Sequence, residues 1–284
     1  MPNGPFRPRI ESVERARNDI HAPDLPDEAT WIGEDPGRMD SMVAKGPVLV
    51  HFFDFSQLNS VRTLPYLAGW FELYGPLGLK VLGVQSPRFE VAGGPEAVAQ
   101  GLERLGVPYP VVLDPGMDLW KLYGCEGWPS LFLWGRGGRL RWFQFGEGEY
   151  EATEEAIRES LGPSVADDLP EPLGPLRDTD RAGAEVIAPT PELLPGDGGA
   201  WTAESGGSEF EIEYEAGSAW VTGSGSGRLL VELDDGTVET VAIDGPALYR
   251  LAEHEGHERH EMTVRLEGAP EIWSISFGAA GPAG

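Results

Sequence analysis

The stretch VLVHFFDFSQLNSVRTLPYL, residues 48–67, decides the fold. Its opening run VLVHFFDF, residues 48–55, is nearly continuous apolar sequence, which is how a central strand covered on both faces reads. Directly after it the period changes. Leu64, Leu67, Ala68, Phe71 and Tyr74 recur at helical spacing, so residues 57–75 are expected to form a helix, kinked where Pro65 removes a backbone donor. A buried strand that runs straight into a helix points to an α/β layer architecture.

The flanking segments extend that reading. LKVLGVQ at 79–85 is a second buried strand, and a helix over 94–106 is closed by Gly106. VVLD at 111–114 reads as a short strand and 116–124 as a short helix. LFLWG at 131–135 and RLRWFQFG at 139–146 are joined across GRGG, a hairpin signal. EATEEAIRESL at 151–161 is amphipathic, with Thr153 and acidic residues in its first turn. This order implies a mixed central sheet with helices on both faces over residues 46–165. Before it, residues 1–45 are rich in Pro, Asp and Glu and read as an extended arm, with Trp31 and Ile32 as a short strand packed on the domain.

The composition then shifts. Residues 163–200 carry Pro, Gly and Asp without sustained periodicity, so a linker is placed at 166–190. From residue 201 onward EFEIEYE, SAWVTGS, RLLVELDD, TVETVAID, EMTVRLEG and EIWSISFG alternate with period two, with a turn at Asp235-Gly236. Six or more short strands and no helix predict an all-β, jelly-roll-like sandwich over 191–284.

Charge excludes some partners. The 284-residue chain has a net charge of −26, and residues 191–284 alone hold 18 acids against 4 bases. Such a surface repels a phosphate backbone, so nucleic acid is not an expected partner. No apolar run is long enough to span a membrane, and the first residues lack the apolar middle of a secretory signal, so a cytoplasmic location is expected. The single cysteine, Cys125, excludes an internal disulfide and an all-cysteine metal site.

Residues 22–162 resemble the thioredoxin-like redoxins related to AhpC/TSA, in particular the TlpA and DipZ branch of thiol–disulfide oxidoreductases. The similarity rests on VLVHFFDFSQLNSVRTLPYL, GLKVLGVQSPRFE, YPVVLD and YGCEGWPSLFLWGRGGRLRWFQFGEGEYEATEEAIRE in that order. The region from 191, ending in LYRLAEHEG, MTVRLEG and WSISFG, looks like the carbohydrate-binding-module-type sandwich that follows such a domain in DipZ-type proteins. The departure is at the active site. Where the resemblance calls for Cys-x-x-Cys, this chain reads Gln57-Leu58-Asn59-Ser60. In the family the first cysteine, at a helix N-terminus, attacks the substrate disulfide as a thiolate and the second resolves the mixed disulfide. An amide and an alcohol can do neither, which excludes dithiol exchange at this position.

The same resemblance matches Pro65 to the proline of the first long helix and Trp128-Pro129 to the cis-proline loop facing the motif. It implies a groove formed by Phe55, Ser56, Gln57, Asn59, Trp128 and Pro129 that holds an extended peptide or protein segment without reacting with it. The leading expectation is therefore a redox-inactive binding or interaction module without a cofactor. The enzyme alternative is a thiol-dependent oxidoreductase or antioxidant protein using Cys125, set against the usual reading of a buried free cysteine as a small hydrophobe.

Two other features invite a ligand. His254, His257 and His260 are interleaved with carboxylates and, in a loop, are candidate ligands for zinc, nickel or copper. Trp201, Trp220, Tyr249 and Trp273 offer a sugar-stacking platform, against which stands core packing; Trp220 and Trp273 alternate with polar neighbours and read as buried. Docking of the second domain on the first, or on a second copy in a homodimer, is the competing use. His51, inside the strand, reads as core, and GSGSG at 223–227 has no helix after it and is not a phosphate loop.

Overall fold

The computed structural model describes residues 20–196, 198–205 and 207–282. The part of the expected arm before residue 20 lies outside the described residues. The first sheet has six strands: β1 (Trp31–Ile32), β2 (Val48–Phe53), β3 (Lys80–Gln85), β4 (Val111–Leu113), β5 (Ser130–Trp134) and β6 (Leu140–Phe145). Their spatial order is β1-β4-β3-β2-β5-β6, with β2, β3 and β4 parallel and the other neighbours antiparallel. Five helices pack on it: α1 (Met39–Lys45), α2 (Leu58–Tyr74), α3 (Pro95–Leu105), α4 (Asp118–Tyr123) and α5 (Tyr150–Leu161).

β2 is central and buried along its whole length. Strand alternation sends Leu49 and Phe53 into the core formed with α2, α3 and α5, and Val48, Val50 and Phe52 into the core formed with α1 and α4. The fold class read from the sequence holds, including the short strand at Trp31–Ile32. One element was not read. Residues 39–45 form α1, which buries Met39, Met42 and Val43; two helical turns are too short for periodicity to register.

The second sheet differs in how its strands divide. In place of six or more short strands there are three: β7 (Glu209–Leu233), β8 (Val238–Asp244) and β9 (Ala247–Gly278), ordered β8-β7-β9. β7 and β9 are long because pairing continues through their bends. β9 folds back to pair with both edges of β7, so Thr222 faces Leu248 on one side and Ser274 on the other. Glycine permits this: a Cβ on Gly225 or Gly227 would meet the carbonyl oxygen of Ala269 or Glu267 at 2.3 Å. The core inside includes Tyr214, Val221, Leu229, Val231, Leu251, Val264, Ile275 and Phe277.

The proline-rich connection is strapped to the first domain. Leu173 N–H donates to Glu154 at 2.8 Å, Leu176 N–H to the Tyr66 hydroxyl at 2.7 Å, and Arg177 to the carbonyl of Arg62 at 2.8 Å. Tyr66 and Tyr150 stack at 3.7 Å beneath the guanidinium of Arg177. Extended chain anchored by single bonds leaves no period in the sequence.

Candidate functional site

The site lies where β2 ends and α2 begins. Asp54, the first residue after the strand, is wholly buried. Its Oδ1 accepts from the Ser56 N–H and hydroxyl, each at 2.8 Å, and its Oδ2 from the Arg88 N–H at 2.7 Å. Burial raises its carboxyl above the ordinary value, opposed by those bonds. Gln85 completes the loop by accepting from the Phe55 N–H at 3.0 Å.

Gln57 and Ser60, where the resemblance calls for cysteines, are tied to each other and to this loop. Gln57 is the N-cap of α2, its Oε1 accepting from the Ser60 N–H at 3.0 Å. Ser60 is fully buried, and its hydroxyl accepts from the Asp54 N–H at 3.2 Å. Both side chains are spent on building the helix start.

Half of the expected groove is interior. Phe55 and Ser56 are each 1% exposed and Pro129 is buried, whereas Gln57, Asn59 and Trp128 are half-buried. Phe55 lies so close to α3 that a Cβ on Gly101 would come within 2.5 Å of its ring. The Trp128–Pro129 peptide is cis. The Trp128 indole donates to the Ser86 carbonyl at 2.8 Å and its ring lies 4.3 Å from that of Trp120.

The C-terminal sheet sits on this loop. Thr222 of β7 donates its hydroxyl to the Ser56 carbonyl at 2.7 Å and accepts from Ser274 at 3.2 Å. Arg88 pairs with Glu192, which also accepts from the Ser276 hydroxyl at 3.1 Å. The rings of Phe89 and Trp273 lie 5.7 Å apart, and Arg104 reaches Asp244 at 3.5 Å. None of Thr222, Arg88, Glu192 or Ser274 stood out in the sequence, because a contact spanning 166 residues leaves no local pattern.

The other candidates resolve individually. Cys125 is half-buried against the α4 side of the core, and burial, with a smaller push from the Asp114 carboxylate, raises its thiol to about 12. At that value the thiol is protonated at neutral pH and is a poor nucleophile. His51 is core, as read: it is fully buried, stacked on Phe53 at 4.9 Å, and desolvation pushes its imidazole down to about 3.

The histidine run is not a loop but part of β9. The rings of His254 and His260 stack on each other at 3.5 Å instead of converging on a point. Among the described residues no group of three or more His, Cys, Asp or Glu side chains is placed to hold a metal ion. Trp220 and Trp273 are half-buried rather than buried, and their indoles donate to Ser218 and Ser224 at 2.9 and 2.8 Å. Tyr249 bonds to Gly245 at 2.7 Å, and Trp201 lies 5.9 Å from Phe210. No described helix is long and apolar enough to cross a membrane.

The mixed six-stranded sheet with helices on both faces is thioredoxin-like, and the chain's homologues include proteins named DipZ and thiol-disulfide oxidoreductase. Protein DipZ of Mycobacterium tuberculosis is 34% identical over 206 residues, covering 70% of this chain and 28% of that protein. The thiol-disulfide oxidoreductase YkuV of Bacillus subtilis is 23% identical over 139 residues, covering 49% of this chain and 93% of that protein. The chain thus spans less than a third of the DipZ proteins that it matches. Among solved structures, a DsbE thiol:disulfide interchange protein from Chlorobium tepidum matches 50% of this chain and 96% of its own, at 22% identity and TM-score 0.43. A thiol-disulfide isomerase from Corynebacterium glutamicum matches 50% and 97%, at 23% identity and TM-score 0.43. No protein-family profile matches the chain.

Proposed function

We propose that this chain is a redox-inactive thioredoxin-like protein, an interaction module whose former exchange site has become the seat for its own β-domain. One observation carries the reading. Gln57 and Ser60 stand where the family's resemblance requires two thiols, and both are consumed by the helix start, while the adjacent Ser56 carbonyl is taken by Thr222. The half-buried edge formed by Gln57, Asn59 and Trp128 is then the part left to receive an extended peptide from a partner. The thiol-enzyme alternative is disfavoured by the raised pKa of the Cys125 thiol, which keeps it protonated. Reduction of insulin by dithiothreitol, with and without the purified protein, tests the reading. The expected result is no rate above dithiothreitol alone; catalytic turnover that Cys125→Ser abolishes would overturn it.

A further inference from the structure

Between Glu253, paired with Ser218, and Glu258, paired with Ala216, β9 carries residues 254–257 against Gly217 alone on β7. Those residues therefore bulge from the ladder. At the base of the bulge the imidazoles of His254 and His260 lie 3.5 Å apart and within 9° of parallel. The Tyr214 hydroxyl is 2.9 Å from His254 Nε2, and Asp234 Oδ2 is 3.2 Å from His260 Nδ1.

These partners define the protons. A carboxylate only accepts, so His260 carries hydrogen on Nδ1, leaving Nε2 bare and buried with no hydrogen-bond partner. Burial pushes the Tyr214 phenol up to about 12, so it keeps its hydrogen beside His254 Nε2, and which of the two donates follows the His254 tautomer. A hydrogen added at His260 Nε2 therefore finds no acceptor in place, whereas one at His254 Nε2 has only the Tyr214 hydroxyl.

The bulge also holds the end of the described chain. His257 N–H donates to the Gly281 carbonyl at 2.9 Å, and Ile187 N–H to that of Ala280 at 3.0 Å. Bulge and tail form one wall of a cavity of about 370 Å³ whose other lining includes Arg62, Arg177 and Glu185.

We propose that the stacked His254–His260 pair is a proton-operated latch: closed while its rings are neutral, it opens when protons from solvent charge the pair, releasing the 254–257 bulge and the 279–282 tail. Two imidazoliums at stacking distance repel, and the bare Nε2 of His260 has no acceptor for a new N–H. The groups facing the pair are Tyr214 from β7, Asp234 and Asp235 from the β7–β8 turn, and Glu258 on β9, with Glu253, Glu255, Asp178, Glu185, Arg62 and Arg177 around the cavity. Burial, and then the charge of His260, hold His254 below its ordinary value, against a smaller pull from the carboxylates. The folded state thus takes up protons less readily than the unfolded chain, so the latch weakens as pH falls below about 6.5.

The test follows the histidine Cε1–H resonances of the full chain between pH 8 and 5, in the wild type and in His260→Asn. The asparagine keeps a donor for Asp234 and removes the stacked imidazole. The expected result is that His254 titrates at a higher pH in the variant. An unchanged His254 midpoint would overturn the latch. If the variant fails to fold, amide exchange of the wild type decides. Protection of the His257 N–H, corrected for intrinsic chemistry, should drop at least tenfold more between pH 7.5 and 5.5 than that of core amides such as Val231. Equal loss at both places would mean that no local latch exists.

Discussion

The hydroxyl of Thr222 donates to the carbonyl of Ser56 at 2.7 Å, with both residues 1% exposed, so the β-domain meets the first domain one residue before Gln57, the N-cap of α2. A sealed carbonyl at this point is a structural commitment, since an unpaired buried acceptor is costly. Thr222→Val keeps the shape, orphans the Ser56 carbonyl and removes the acceptor of Ser274. The expected loss is about 1–3 kcal/mol, read as a lowered urea midpoint with unchanged m-value. A midpoint equal to that of the wild type would show that water replaces the bond and that the seal is superficial.

Introducing a thiol pair at Gln57 and Ser60 separates the site from its cover. Gln57→Cys with Ser60→Cys places two thiols at the start of α2, where the helix dipole favours a thiolate. Loss of the Gln57 cap costs about 0.5–2 kcal/mol, so the variant should still fold. It is expected to reduce a small dye-labelled disulfide with dithiothreitol but to act poorly on insulin, whose approach the β-domain obstructs. Adding Arg88→Ala, which cuts the tie to Glu192, should raise the insulin rate more than the dye rate. A folded double variant inert toward both substrates would mean that the loop has diverged beyond these two positions.

How much of this was legible follows from where the information sits. β2 and α2 were readable because a two-face strand and a helical period are both local. The interior position of Phe55 was not, because it depends on Gly101, a neighbour across the fold. The His254–His260 stack was visible as a spacing and invisible as a geometry: the bend that brings the rings together is set by pairing with β7. Sheet continuity through Gly225 and Gly227 likewise turned expected short strands into long ones.

Cys125 provides a quantitative check on the non-enzymatic reading. With its thiol raised to about 12, the thiolate fraction at pH 7.5 falls roughly a thousandfold below that of a free cysteine. Labelling by an aromatic disulfide reagent should therefore be at least about a hundredfold slower in the native protein than in guanidinium, where one thiol per chain should react promptly. Native labelling at the rate of free cysteine would return Cys125 to consideration as a reactive centre.

His51 makes a prediction about acid stability. Both ring nitrogens are buried without a partner, and desolvation lowers the imidazole from 6.5 to about 3. In that interval the unfolded chain binds a proton that the folded chain refuses. Stability is therefore intact above about pH 6.5 and falls as pH drops, by up to about 1.4 kcal/mol per unit. His51→Leu keeps an apolar body of similar size between Leu49 and Phe53 and removes the titration. The variant should exceed the wild type in stability, and its margin should widen by about 1 kcal/mol per unit between pH 6 and pH 4.5, measured by urea unfolding at fixed ionic strength. Parallel pH curves for the two proteins would show that His51 is solvated or paired in the folded state, and that the core beneath the site is wetter than its packing implies.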